Sequence, residues 1–304
     1  MKITDIEKNF VSAVVYLHND ANAVNFFDAL HGVLSEHFEN FEIIAVDDAC
    51  NDGSADMLRE WSKSLEQPLT ILHMSTYHGI EDAMNAGLDA AIGDYIFEFD
   101  STQMPYDPGL IYEAYRKALE GNDIVYVCPN KITGSSRLFY TLFNASSRSR
   151  YKIHTDAFRL VTRRAVNRVH ASNSYMPYRK AAYAASGLKM VSIEFDGTIS
   201  NTMENKISLA VNSLALYTNT GYKLSVGITV FMMVIALAEL LYAAAIYLLG
   251  KPIEGWTTTM LVIAFGFLGI FFIMSIIIKY LNLIIDIIFR KQKYLIESVE
   301  KIQK

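Results

Sequence analysis

Phe41-Glu42-Ile43-Ile44-Ala45-Val46-Asp47-Asp48-Ala49-Cys50-Asn51-Asp52-Gly53-Ser54 begins as an apolar, β-branched run and ends in acids, a glycine and a serine. An apolar run of this length, bounded by turn-forming residues, reads as a buried strand. Gly53 permits a tight entry into a following helix, and Asp52 and Ser54 suit the turn and the cap. A strand over 41–46 therefore stops at Asp47 and Asp48, with a helix over 54–65 beyond it. Two adjacent acids at a strand end repel each other unless something neutralises them, so both are candidates for ligand contact.

The same alternation extends on either side. Residues 11–16 (VSAVVY), 69–74, 94–99 (DYIFEF) and 123–128 (DIVYVC) read as strands, and 22–38, 79–91 and 108–120 as helices. Strands alternating with helices predict an α/β fold with a mostly parallel sheet covered on both faces. In such sheets ligands bind beyond the carboxyl ends of the strands, where Asp47, Asp48 and Asp100 stand. Residues 129–154 lose the pattern and collect Lys131, Arg137, Arg148, Arg150 and Lys152. A long loop of this kind inside a compact domain is commonly functional.

The 304 residues leave room for one such domain, over 1–203, and a separate apolar region. The formal charge of −5 argues against a general nucleic-acid binder. Cys50 and Cys128 make no disulfide framework and read as core thiols. Residues 1–10 lack the apolar segment of a signal peptide. Residues 224–249 are apolar apart from Glu239, and 257–278 carry no charge. Each is long enough to cross a bilayer core of about 30 Å as a helix. With Lys251, Pro252 and Gly255 between them, they predict a transmembrane hairpin over 224–280, and Trp256 suits an interfacial anchor. Lys206 and Lys223 before the hairpin, and Lys279, Arg290, Lys291 and Lys293 after it, place both ends in the cytoplasm of a multi-pass cell-membrane protein. Residues 204–223 read as an interfacial amphipathic helix. Residues 281–304 read as an amphipathic helix that is either a solvated face or a contact in a homo-oligomer, and Glu239 reads as a packing or oligomer contact.

Several motifs together carry a resemblance. The run from Val46 to Ser54 is similar to the VDD-G-S-x-D-G-(S/T) segment of family 2 glycosyltransferases, and Asn19 sits where that family has an N-E pair. Gly79-Ile80-Glu81-Asp82-Ala83-Met84-Asn85-Ala86-Gly87, followed by Ala91-Ile92-Gly93-Asp94-Tyr95-Ile96, resembles its G-x-x-x-A-x-N-x-G and A-x-G-D-Y-I blocks. Alone, so many small residues on a helix could equally mean close packing on the sheet. Asp100-Ser101-Thr102-Gln103 lies where the family places D-x-D, with Thr102 in place of the second acid. Phe158-Arg159-Leu160-Val161-Thr162-Arg163-Arg164 resembles F-R-L-x-x-R. Asn205-Lys206-Ile207-Ser208 stands where polyprenyl-phosphate members have G-x-S-K-Y, and Tyr280-Leu281 with residues 293–296 resembles the segment after their second span.

The resemblance implies a nucleotide-diphospho-sugar transferase (GT-A) domain, and inverting transfer of a hexose from a UDP- or GDP-sugar to a lipid-linked acceptor. Polyprenyl phosphate at the cytoplasmic membrane face, in cell-surface polysaccharide or glycan assembly, is the implied acceptor. Asn19, Asp47, Asp48, Gly79, Asn85 and Asp100 would bind the nucleotide sugar. Asp100, Thr102 and Gln103 would hold Mg²⁺ or Mn²⁺, a hard cation that takes one or two carboxylates beside phosphates and waters. Asp156 would be the catalytic base or only order its loop, with His154 as the alternative base. Arg137, Arg148, Arg150, Arg159, Arg163 and Lys206 would grip the acceptor phosphate. A transferase that extends a lipid-linked saccharide, or a non-catalytic transferase-like scaffold, would share most of these features.

Overall fold

A computed structural model of the chain describes residues 6–65, 67–131, 140–141, 144–145, 152–172, 178–199 and 294–302, with scattered positions between 227 and 284. Two compact units emerge: Met1–Leu209 with Gln292–Lys304, and Ala210–Lys291.

The first unit opens with β1 (Val11–Leu17), α1 (Ala23–His37), β2 (Phe41–Asp47), α2 (Ser54–Ser62), β3 (Leu69–Met74), α3 (Ile80–Ala90), β4 (Tyr95–Phe99), α4 (Gly109–Leu119) and β5 (Ile124–Lys131). It continues through β6 (Phe158–Thr162), α5 (Arg163–Ser172), α6 (Arg179–Ala185), β7 (Met190–Thr198) and β8 (Ile296–Ile302). One sheet has the order β7-β5-β6-β4-β1-β2-β3-β8. Its centre, β4-β1-β2-β3, is parallel. β6 enters antiparallel between β4 and β5, β7 lies parallel to β5, and β8 closes the far edge antiparallel to β3. The register sets Leu17 beside Asp47 and Asp47 beside His73, so the ends of three strands form one level platform.

Apolar spacing explains these elements. In β1 every residue is buried except the half-buried Tyr16, as a strand covered on both faces requires. On α1, Ala23, Phe26, Phe27, Leu30 and Leu34 repeat at helical spacing and are all buried. Burial stabilises by about 1.5–3 kcal/mol for each large apolar side chain. The small residues of α3 do serve close packing. A Cβ on Gly87 would lie 2.4 Å from Val14 Cγ1 and 2.6 Å from Val46 Cγ2, which puts the helix almost on the sheet.

The tail corrects the expectation of a helix over 281–304. Ile296, Val299 and Ile302 recur every third residue, which mimics a helical face, yet residues 296–302 form β8. The open edge of β3 offers a full row of backbone partners, and β-branched residues accept the extended form. Local pattern likewise does not predict β6 and β7 as strands, because Arg159 interrupts the apolar pattern of one and charged residues that of the other.

In the second unit the described positions between 227 and 284 are helical. A Cβ on Gly269 would lie 2.5 Å from Met232 Cε, so the two apolar stretches touch there. Among the described residues no helix is long and apolar enough to cross a membrane. The expected interfacial helix over 204–223 and most of the two expected spans lie outside the described residues.

Gly93 holds the turn into β4, donating its N–H to Ser12 Oγ at 2.8 Å. A Cβ there would stand 2.6 Å from the Ser12 backbone nitrogen and 2.8 Å from the Val11 carbonyl carbon. Gly93→Ala should therefore cost about 1–3 kcal/mol. A urea unfolding midpoint equal to the parent's would contradict this contact.

Candidate active site

Asp47 and Asp48 leave the end of β2 toward opposite faces, as successive strand residues do, and each finds its own partners. Asp47 Oδ1 accepts the Cys50 N–H at 2.8 Å, and Oδ2 lies 2.7 Å from His73 Nδ1. Asp48, fully buried, accepts the His78 N–H at 2.8 Å, the Gly79 N–H at 2.9 Å and the Tyr16 hydroxyl at 3.0 Å. The fold itself thus supplies each of the two carboxylates with hydrogen-bond partners. Asp48 orders the entry to α3, where Gly79 takes φ +84°. It has no oxygen facing solvent. Asp47 is also buried, at 6% exposed, with one protein donor on each oxygen, and it retains lone pairs for another.

Asn19 joins the β1 and β2 loops. Its Oδ1 accepts the Asn51 N–H at 2.9 Å, and its own N–H points at Cys50 Sγ at 3.3 Å. Asn85 is buried within α3. Ala49 holds φ 56°, a left-handed backbone that strains any residue with a Cβ, at the position where the related motif has glycine. Cys50 and Cys128 are both free thiols. Cys128 is buried, and burial pushes its thiol up to about 12.

Beneath the end of β4 lies a charged cluster with almost no access to water. Arg159 on β6 reaches Asp156 at 2.8 Å, Glu98 at 3.1 Å and Asp100. Arg179 at the start of α6 reaches Glu81 at 2.9 Å, Glu98 at 2.5 Å and Asp100 at 2.7 Å. Lys180 pairs with Asp156, and the Tyr183 hydroxyl donates to Glu98 at 2.5 Å. Burial pushes the Glu98 carboxyl up despite the two arginines. Burial acts on Asp100 in the same sense, but Arg159, Arg179 and Lys180 together outweigh it and hold Asp100 well below the usual carboxylate range. Of the cluster's carboxylates Asp100 is the most open, with a side chain 20% exposed.

The structure places three of the expected site residues in or near this sheet end and one on the opposite side. Asp156 is buried between Arg159 and Lys180. Of the two base candidates only His154 is exposed. His154 lines a pocket of about 130 Å³ with Tyr126, Cys128, Lys152, Met190, Val191 and Ser192. Arg159 is 1% exposed and holds Asp100 rather than an acceptor. Arg163 donates to the carbonyls of Ala91 at 2.6 Å and Gly93 at 3.0 Å, at the opposite end of β4 from Asp100. Arg137, Arg148, Arg150 and Lys206 lie outside the described residues.

Thr102 donates its hydroxyl to Asp20, whose other oxygen accepts the Asn22 N–H at 2.9 Å. Gln103 is exposed, its N–H 3.2 Å from Ser101 Oγ. Among the described residues no group of three or more His, Cys, Asp or Glu could cage a metal ion. Asp100 and the Asp20–Thr102 pair fit the sparser mode in which a hard cation takes one or two carboxylates and is otherwise held by phosphates and water.

The sequence pattern alone does not single out Asp20, Arg179, Lys180 or His73. Asp20 had a signal, since Asn19-Asp20 stands where the family has N-E. Arg179 and Lys180 had a weaker one. Two cations heading the small apolar run Ala181-Ala182-Tyr183-Ala184 must be buried and paired if that run is buried.

Residues 12–186 match the model of glycosyl transferase family 2. The chain belongs to that family. It is a glycosyltransferase, and relatives run along most of its length. It is 24% identical over 291 residues to the uncharacterized glycosyltransferase YkcC of Bacillus subtilis, covering 90% of this chain and 89% of that one. It is 22% identical over 275 residues to the undecaprenyl-phosphate 4-deoxy-4-formamido-L-arabinose transferase of Pectobacterium atrosepticum, covering 85% and 83%. Among solved structures, mannosyl-3-phosphoglycerate synthase from Rubrobacter xylanophilus superposes with a TM-score of 0.52 at 16% identity, covering 68% and 71%. That likeness supports the GT-A-like fold.

Two measurements check this geometry. Arg179→Ala leaves Glu81, Glu98 and Asp100 short of a partner in a buried site and should cost about 3–5 kcal/mol. Because the folded state lowers the Asp100 pKa, its contribution is complete above the ordinary carboxylate range and fades as pH falls through the lowered value. The deficit of Arg179→Ala should therefore shrink in strong acid, and a deficit independent of pH would argue against the ion pairs. Ala49→Gly should raise stability by up to about 1 kcal/mol through relief of the left-handed strain, read as an upward shift in the urea midpoint.

Proposed function

We propose that this glycosyltransferase moves a hexose from a UDP- or GDP-sugar to polyprenyl phosphate at the cytoplasmic face of the cell membrane. The observation that carries the reading is Asp100, a partly open carboxylate held charged by two buried arginines beside the Asp20–Thr102 pair. Asp47 and Asn19 border the same strand ends and would contact the nucleoside. Asp100, with Asp20 and Thr102, would hold a divalent cation, which when bound supplies positive charge to the departing diphosphate.

Support for the lipid acceptor is of two kinds. Relatives aligned along most of the chain are named for undecaprenyl phosphate. The described helical positions of the second unit also leave large apolar side chains exposed, among them Phe231 at 63%, Ile270 at 57% and Met274 at 54%. Apolar exposure of that density marks a surface meant for lipid or protein. Residues 224–249 and 257–278 would be the anchor, with both ends in the cytoplasm.

In the reaction an acceptor oxygen attacks the anomeric carbon as the bond to the diphosphate breaks on the opposite side, inverting that centre. A phosphate acceptor is already ionised and needs little proton abstraction, so positioning carries most of the catalysis. Arg137, Arg148, Arg150 and Lys206 would grip it. His154 is the exposed group able to take a proton if the acceptor is a hydroxyl of a lipid-linked saccharide.

Purified full-length protein in detergent, given radiolabelled UDP- or GDP-sugars with undecaprenyl phosphate or a lipid-linked saccharide, should label the first acceptor. EDTA and Asp100→Asn should each remove most of that transfer, by at least about tenfold for loss of a group that orients the diphosphate. Label appearing only on the saccharide would overturn the acceptor assignment. Full activity of Asp100→Asn would overturn the site.

A further inference from the structure

The C-terminal strand reaches the acidic pair of β2 from the far side of β3. β8 pairs with β3 so that Leu69 faces Ile302, Leu72 faces Val299 and His73 faces Ser298. His73 lies between two carboxylates: Nδ1 is 2.7 Å from Asp47 and Nε2 is 3.5 Å from Glu300 on β8. Glu300 is fixed in turn by Arg59 on α2, whose Nε is 2.8 and 3.0 Å from its two oxygens and whose Nη2 is 2.8 Å away.

A second connection runs through His78. Its backbone N–H donates to Asp48 at 2.8 Å, and its Nδ1 donates to the Thr76 carbonyl at 2.5 Å. That leaves Nε2 to accept the Leu295 N–H at 3.2 Å, just before β8. The Leu295 carbonyl accepts the Ser75 N–H at 3.0 Å. Both neighbouring acids are thus linked, each through a histidine, to the same few residues of the tail.

An ion pair as open as Arg59–Glu300, with side chains 34% and 35% exposed, contributes little stability by itself. Its hydrogen bonds with Arg59 do hold the Glu300 carboxyl below the usual range, so Glu300 stays charged. What the pair can supply is direction. A residue that orients a ligand-contacting group acts on binding without touching the ligand.

Resting on the reading of Asp47 as a nucleoside contact, we propose that β8 is a positioning element of the donor site, in which Glu300, acting through His73, aims the Asp47 carboxylate at the nucleoside of a nucleoside diphosphate. The sugar-donor site is then built from both ends of the chain.

The test titrates full-length protein with UDP and, separately, GDP, and measures KM for sugar nucleotide and for polyprenyl phosphate. Glu300→Gln should weaken the nucleotide that the parent binds by about 5- to 30-fold, with the acceptor KM and the thermal midpoint nearly unchanged. Glu300→Asp should recover part of the loss. Asp47→Asn should weaken the same nucleotide, and the double variant should lose no more than Asp47→Asn alone, the non-additivity expected of groups acting in series. Arg59→Gln should act in the same direction by a smaller factor, which answers the question even if Asp47→Asn does not fold. Parent-like nucleotide affinity in Glu300→Gln beside a weakened Asp47→Asn overturns the inference and leaves the nucleoside reading standing. Parent-like affinity in Asp47→Asn overturns that reading and the inference with it. Additive losses, or equal rises in both KM values, also overturn the inference, because they mark a general loss of structure.

Discussion

Two guanidinium groups set below the end of β4 join elements far apart in sequence. Arg159 comes from β6 and Arg179 from α6, and both hold Glu98 and Asp100, while Glu81 on α3 and Asp156 before β6 complete the shell. Taking charges out of water is expensive, and a buried pair of this kind is often worth no more than a well-packed apolar substitute. Its value here is in specification. These ion pairs tie β4, β6, α3 and α6 into one arrangement, which leaves Asp100 as the carboxylate at the open rim. The role proposed for Asp100 therefore depends on two arginines that are themselves almost wholly buried.

Much of the first unit was legible because its apolar runs are short, β-branched and closed by turn residues. The first five strands and four helices lie within a few residues of where their patterns place them. β6 was hidden because Arg159 stands in the middle of its apolar run, and β8 because apolar residues three apart imitate a helix. In both cases the deciding fact is a partner distant in sequence: the carboxylates of β4 for one, the free edge of β3 for the other. Local pattern holds no record of either.

The site was legible at the level of residue type and less so at the level of role. Asp47, Asp48 and Asp100 do stand at strand ends, yet only the structure separates their tasks. Asp48 accepts two backbone N–H groups and a phenol, which is the work of a loop organiser. Asp156 and Arg159 neutralise each other, and Arg163 faces the wrong end of the sheet. A motif records which side chains are present. It cannot say whether a charged group faces solvent or another charge, because that depends on burial and on partners that converge only in three dimensions.

The place of β8 also bears on how the domain is made. β3 ends at Met74, and the strand that covers its outer edge begins at Ile296. A ribosome adding roughly 5–20 residues per second takes on the order of 10–40 s to cover that interval. Throughout that time the nascent sheet exposes an unpaired edge bearing Leu69, Ile71 and Leu72, a surface open to pairing with other chains. The apolar stretches at 224–249 and 257–278 emerge within the same interval. That edge thus closes only after those stretches have been synthesised, with β8 as its seal.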